Sequence, residues 1–322
     1  MKTTTNENRP GRFANLLSGG AKPRRSFALM MALVLVGMLS LAGVVSADEY
    51  FKGVAPTTIT KGTVDNGDFW VDLENTWTSP DNIGTEQASA SFTLPVDPSD
   101  PGVTIEFAHL YVVVYSGSQS ANYKGNETVV LNNGQDNTLA SAYPLDLEYD
   151  RTVGPTYGSV SAPFTSLSRV TSDYLSIFDV KDFLTTQDIS VVVTTTNESG
   201  RFDGRIKEVK LAVAYDDGTG STTTYYVNEG HDAVSYYSTI PYVGQSEFND
   251  TGSTGTGTLY VDYIASADGT YTWNGNPITA TDSIVGNQAG LKTYTVSLTD
   301  DNYLSYNRTG NYYKIAAAFL KF

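Results

Sequence analysis

Two histidines, no cysteine and several close acidic pairs define the chemistry open to this chain of 322 residues. His109 lies in the apolar run VTIEFAHLYVVVY (residues 103–115) and reads as a satisfied residue of a sheet. His231 lies in NEGHD (residues 228–232), a segment richer in ligand-type atoms. Neither belongs to an HExxH motif, and no GxSxG elbow offers a serine to a histidine, so a Ser-His-Asp triad is left open by composition alone. Without cysteine there are no disulfides, Cys-zinc sites, iron–sulfur clusters or thiol nucleophile. Paired carboxylates could hydrolyse a glycoside, but acidic residues are too frequent here to single out a pair. Asp97 with Asp100, Asp216 with Asp217 and Asp300 with Asp301 carry oxygen ligands suited to Ca²⁺. None has EF-hand spacing, and their first reading is as turn residues. We therefore expect no catalytic residue, no cofactor and no metal beyond a weak Ca²⁺ possibility, and no enzymatic activity.

Four sequons, at Asn126, Asn197, Asn249 and Asn307, become glycan acceptors if the chain is exported. The N-terminus predicts that export. Six basic residues precede an apolar run at residues 27–45, and Val45-Ser46-Ala47 supplies small residues before Asp48. These are the three parts of a secretory signal peptide over residues 1–47, with cleavage expected between Ala47 and Asp48, leaving no stable membrane span. Removing it leaves 14 basic against 34 acidic residues, a net charge of −20. So acidic a surface argues against nucleic acid as a partner.

The elements that must position these residues read as strands. Residues 206–215 alternate, with Val209, Leu211, Val213 and Tyr215 on one face and Glu208, Lys210, Ala212 and Ala214 on the other. Asp216-Asp217-Gly218 then predicts a hairpin turn into a Thr/Tyr-rich strand at 222–227. Asn66-Gly67 predicts a second hairpin, and Asn274-Gly275-Asn276-Pro277 a strong turn. Residues 103–115 are apolar on both faces, which predicts a central strand covered on both sides. Asp179 or Asp182 can cap a short helical turn. Residues 132–172 read as a long surface excursion with one short strand near 145–149, and residues 244–258 as a flexible loop or boundary.

The C-terminal part echoes the middle. Leu110-Tyr111-Val112 is matched by Leu259-Tyr260-Val261, Val130 to Gly134 by Thr272 to Gly275, residues 176–180 by 293–298, and residues 205–215 by 312–322. This predicts an all-β fold of tandem antiparallel, jelly-roll-like β-sandwich lobes: lobe 1 over residues 48–230 and a smaller lobe 2 over 231–322.

The stretches AHLYVVVY, VVLNNG, SIFDVKDFL, ISVVVTT, FDGRIKEVKLAVAYDDG and YYVNEGHD, with GTYTWNGNPI and NYYKIAAAFL, resemble a family of methanogen cell-surface proteins built on a β-sandwich domain of unknown function. Within it they are most similar to the sheath proteins of filamentous methanogens of the Methanospirillum type. The resemblance implies an extracellular structural role at the cell surface and no catalytic residues. The expectation is a self-assembling subunit of a sheath or surface layer whose main partner is itself, alongside other envelope proteins. Copies would join through edge strands, which carry unpaired N–H and C=O groups, at residues 50–54 and at the C-terminal strand ending at Phe322. The alternative is a secreted carbohydrate-binding or adhesin-type module with Trp70, Trp77 or Trp273 stacking on sugar rings.

Overall fold

The computed structural model describes residues 53–76, 84–117, 121–133, 145–150, 154–157, 163–233, 243–264, 269–286, 288–308 and 313–322. The expected signal peptide, the Ala47–Asp48 cleavage site and Trp77 lie outside them.

Strand β1 (Gly53–Val64) precedes two successive jelly rolls. The first comprises β2 (Gly67–Asn75), β3 (Thr85–Thr93), β4 (Thr104–Tyr115), β5 (Tyr123–Asn132), β6 (Leu145–Asp150), β7 (Gly154–Tyr157), β8 (Phe164–Val170), β9 (Asp173–Asp179), β10 (Asp188–Gly200) and β11 (Arg205–Asp216). The second comprises β12 (Thr223–Ala233), β13 (Val243–Phe248), β14 (Thr256–Ile264), β15 (Gly269–Trp273), β16 (Asn276–Pro277), β17 (Asp282–Val285), β18 (Ala289–Ser297), β19 (Asn302–Arg308) and β20 (Lys314–Lys321).

The sheet orders repeat, the second lobe having one strand fewer in its outer sheet. The first lobe pairs β2-β11-β4-β9-β8 in one sheet and β3-β10-β5-β6-β7 in the other; the second pairs β12-β20-β14-β18-β17 and β13-β19-β15-β16. Each matched pair of sequence segments falls on equivalent strands: β4 with β14, β5 with β15, β9 with β18, and β11 with β20. Both lobes have the two-sheet jelly-roll connectivity, and β1 adds a sixth strand beside β12. The division expected after residue 230 falls inside β12, which together with β1 pairs into the second lobe's sheet.

Three apolar cores fill the space between sheets. Ala90, Phe92, Val191, Leu110, Val112 and Leu211 form the core inside lobe 1. Leu259, Val261, Phe248, Trp273 and Leu304 form the core inside lobe 2. A third core, including Phe69, Tyr111, Val113, Ala212, Val227 and Phe319, joins the inner sheets of the two lobes. Alternation accounts for the outer sheets: β3 buries Ala88, Ala90 and Phe92 and exposes the residues between. The central strands of the inner sheets have no solvent face. β4 buries both sides, as its composition predicts. β11 does too, so Glu208 and Lys210 are fully buried and not on a solvent face.

Several expectations are corrected here. β11 and β12 do not form a hairpin: β11 pairs with β2 and β4, and β12 pairs with β1 and β20. The 217–222 connection carries the chain from one sheet to the facing one. The Asn66-Gly67 link does the same between β1 and β2, and the two links hold each other. Asp217 N and Gly218 N donate to the Asn66 carbonyl (3.0 and 3.1 Å), and Thr223 Oγ1 donates to the Gly67 carbonyl (2.9 Å). The excursion at 132–172 contributes three strands, β6, β7 and β8, and buries Leu147 and Arg169. The segment read as a flexible boundary contains β13, which alternates regularly between exposed and buried. The C-terminal strand is no edge: β20 lies between β12 and β14. Its run of Ile315, Ala316, Ala317, Ala318, Phe319 and Leu320 is buried on both faces, as suits a central strand. The short helical turn is a 3-10 turn at Lys181–Phe183, where Asp179 Oδ1 accepts from Lys181 N (3.1 Å).

Candidate functional site

Two features stand out: the edges of the six-stranded sheet and a polar seam between the lobes. β1 and β17 end the order β1-β12-β20-β14-β18-β17. Five large apolar side chains are exposed among the described residues: Val54, Ile59, Val243, Ile284 and Val285. Four sit on these two edges, Val54 and Ile59 on β1, Ile284 and Val285 on β17. The fifth, Val243, begins β13, which lies next to β1 and receives a hydrogen bond from Thr58 Oγ1 at the Glu247 carbonyl (3.3 Å). Of the two edges anticipated from sequence, the one at residues 50–54 continues as β1, with Gly53 and Val54 described.

The seam is built from charged residues on the facing surfaces of the inner sheets. Asp173 of β9 is fully buried between Lys207 of β11 (2.8 Å) and Lys314 of β20. Burial alone would raise its pKa, but the two ammonium groups outweigh this and hold it well below the usual carboxylate range. Burial brings Lys314 down to about 8, with Asp173 opposing. Lys210 of β11 pairs with Asp262 of β14, and Glu208 Oε1 lies 3.9 Å from the Lys210 ammonium. Glu229 of β12 accepts from Tyr111 Oη (2.7 Å) and contacts His109 Nδ1 (2.6 Å). Near the open end, Lys321 binds both oxygens of Asp68 (2.8 and 2.7 Å) and the Phe69 carbonyl (2.9 Å). A cleft of roughly 370 Å³ opens there, lined among others by Tyr215, Ser221, Thr258 and Phe322.

Both histidines belong to this seam. His109 is satisfied by Glu229, as expected of a sheet residue. His231 is buried, with Nδ1 3.1 Å from Ser168 Oγ. Burial, with Lys314 adding to it, lowers its pKa to about 3, so the ring stays neutral. Asp232 accepts from Tyr306, and His231 Nε2 has no hydrogen-bond partner among the described residues. Among the described residues the contacts form a Ser–His pair without a carboxylate hydrogen-bonded to the ring.

The carboxylates of Asp97, Asp216 and Asp217 serve turns. Asp97 Oδ1 accepts from Ser99 N and Oγ (2.9 and 2.7 Å), Asp216 Oδ1 from Gly218 N (2.9 Å), and Asp217 Oδ1 from Thr219 N and Oγ1 (2.9 and 2.8 Å). The Asp300 carbonyl accepts from Thr251 N (3.0 Å). Among the described residues no group of three or more His, Asp or Glu is arranged to hold a metal. The sequons fall on the outer sheets: Asn126 on β5, Asn197 on β10, Asn307 on the equivalent strand β19, and Asn249 exposed just after β13. Trp273 is buried with Nε1 donating to the Ser297 carbonyl (2.7 Å), and Trp70 is half-buried edge-on to Phe92. Neither is the exposed platform that sugar stacking asks for.

Sequence reasoning missed Asp173, Lys207, Glu208, Lys210, Asp262 and Lys314 as a group. The available signal was charge recurring on one face of otherwise apolar strands, at Glu208 and Lys210. That pattern ordinarily marks a solvent face; here a second sheet covers it.

A family model described as a protein of unknown function (DUF3344) matches residues 49–322. No curated protein matches the chain. A putative secreted protein from Parabacteroides distasonis is similar at 11% identity over 86% of this chain and 95% of that one, with a TM-score of 0.23. PNGase F, a glycosylasparaginase from Flavobacterium meningosepticum, is similar at 11% identity over 81% and 95%, with a TM-score of 0.25. The Cucumber Necrosis Virus structure is similar at 8% identity over 79% and 95%, with a TM-score of 0.19. At these scores none of the likenesses carries an argument about activity. Among the described residues no helix is long and apolar enough to cross a membrane.

Proposed function

We propose that this chain, which belongs to the DUF3344 family of proteins of unknown function, is a self-assembling extracellular subunit of a sheath or surface layer. Copies join by extending the six-stranded sheet, β17 of one against β1 of the next. The observation that carries this reading is the concentration of exposed apolar side chains on those two edges.

Strand polarity supports it. Every neighbour in the sheet is antiparallel, and the sheet has six strands. β1 and β17 therefore run in opposite directions, so a copy added without inversion continues the antiparallel alternation. Such a head-to-tail contact closes a ring or grows without limit. Each new copy satisfies edge N–H and C=O groups and removes Val54, Ile59, Ile284 and Val285 from water, at about 25 cal/mol per Å² of apolar surface. The sequon positions fit as well: Asn126, Asn197 and Asn307 lie on outer sheets, where glycans would coat the faces and leave β17 clear.

Electron microscopy of the purified chain is expected to show rings, tubes or sheets. Substituting Ile284→Lys and Val285→Lys puts like charges on the growing edge, and sedimentation should then give monomers. A wild-type chain that stays monomeric at high concentration, with and without Ca²⁺, contradicts the proposal. The carbohydrate-binding alternative predicts retention of wild-type chain on a glycan array.

A further inference from the structure

We propose that Lys210 and Asp262 condense into an intramolecular isopeptide bond, promoted by Glu208, that ties the two lobes together covalently.

The geometry supplies each part. Lys210 on β11 and Asp262 on β14 face each other across the core between the lobes, and both side chains are fully buried. Their contact is direct, Nζ to Oδ2. Glu208 is two residues from Lys210 on the same strand, hence on the same face, and is also fully buried, with Oε1 3.9 Å from Lys210 Nζ. The Lys210 ammonium sits 4.2 Å from the centre of the Tyr111 ring and 5.6 Å from that of Phe319. Both carboxylate oxygens of Glu208 and Oδ1 of Asp262 lack hydrogen-bond partners among the described residues. Glu208 therefore stands beside the lysine–aspartate pair with its carboxyl committed to no other hydrogen bond among the described residues.

The surroundings also favour the neutral forms the reaction needs. Burial lowers Lys210 to about 8, with Glu208 and Glu229 opposing, and burial raises Glu208 to about 7, with Lys210 and Lys207 opposing and Asp173 adding. A desolvated amine is a competent nucleophile, and a protonated carboxyl is a general acid. Proton transfer within the ion pair gives an amine and a carboxylic acid. Lys210 Nζ then attacks Asp262 Cγ while Glu208 donates a proton to the Asp262 oxygen. The Cγ–O bond breaks, a C–N bond forms, Glu208 recovers a proton from the nitrogen, and one water leaves. The ammonium and carboxylate become one amide and one water, with no change of oxidation state.

The neighbouring pair Lys314–Asp173 shows what is missing when the bond does not form. Asp173 is shared by two lysines and held ionised, so its carbon is a poor electrophile. It serves as the internal control.

Mass spectrometry of the purified, denatured full chain tests the proposal. The expected mass is lower than that of the same chain, with its N-terminus determined, by one water. Proteolysis should yield one branched peptide joining Lys210 to Asp262, while Lys314 and Asp173 appear on separate linear peptides. Lys210→Arg and Glu208→Gln should restore the full mass, Glu208→Gln with the ion-pair partners retained. Wild-type chain at full mass, with Lys210 and Asp262 on separate peptides, overturns the proposal, as does water loss mapped elsewhere. Full water loss persisting in Glu208→Gln removes Glu208 from it.

Discussion

At the scale of single residues, the buried carboxyl groups give the sharpest expectations. Glu127 of β5 faces the lobe 1 core, with Ser176 Oγ donating to both oxygens (2.9 and 3.1 Å). Burial pushes its pKa up to about 8, with the Ser176 hydrogen bond only partly opposing. The folded chain therefore keeps a proton that the unfolded chain releases above its ordinary value of 4.5. Stability from this group is highest below that value and falls as pH rises toward 8, by about 1.4 kcal/mol per pH unit. Glu127→Gln should remove that dependence. Thermal melts of both chains between pH 5 and 8 are expected to converge at pH 5 and diverge at pH 8, the variant being the more stable; parallel curves would count against a buried, protonated Glu127. Asp173 carries the opposite sign. Its folded pKa is depressed, so its contribution is present above about 4 and is lost as pH falls below it. Asp173→Ala leaves Lys207 and Lys314 buried without their counter-ion, and should cost about 3–5 kcal/mol in a denaturant titration. None of this was visible in the sequence. Glu127 alternates with the buried Val129 and Leu131, but a lone Glu in a strand looks the same whether its face meets water or a core. His109 was legible, because its flanking residues were apolar on both faces.

At the scale of elements, turn chemistry announced turns correctly but not what they joined. Asn274 and Gly275 both have positive φ, +50° and +79°, and close the tight β15–β16 hairpin, as their residue types predict. Asn66-Gly67 is the same dipeptide, yet neither residue has positive φ, and the strands it joins lie in facing sheets. The difference is made by β11 and β12, which claim β2 and β1 as partners from far along the chain. Gly67 is required there for space: a Cβ would lie 1.8 Å from the Tyr215 carbonyl oxygen. Gly67→Val should therefore destabilise strongly, by about 3 kcal/mol or more on the scale of severe steric disruption. Gly84→Ala, with nothing within 4 Å of its added Cβ, is expected to melt close to wild type. Equal melting temperatures for the two would mean the stacked links are not tightly packed. The strands most legible in sequence were β4, β10 and β14, whose β-branched or apolar runs are long. β6 matches the short strand expected near 145–149, whereas β7, β8, β17 and β19 were missed; β17 is exposed along its whole length and has no alternation of burial to read.

At the scale of the whole molecule, the repeat foresaw the architecture better than any local motif did, because strand order survives when residue identities do not. It also placed β11 opposite β20, which explains why the final strand is central: its counterpart is central too. The edges of the six-stranded sheet then fall to β1, outside the repeat, and to β17. The absence of cysteine makes their proposed union directly testable. In the double variant Ile59→Cys, Ile284→Cys, mild oxidation of the assembled chain should give a ladder of disulfide-linked oligomers on a non-reducing gel, each single variant stopping at dimer or monomer. A double variant that yields no ladder, while wild-type particles are plain in the microscope, would contradict the pairing of β17 with β1.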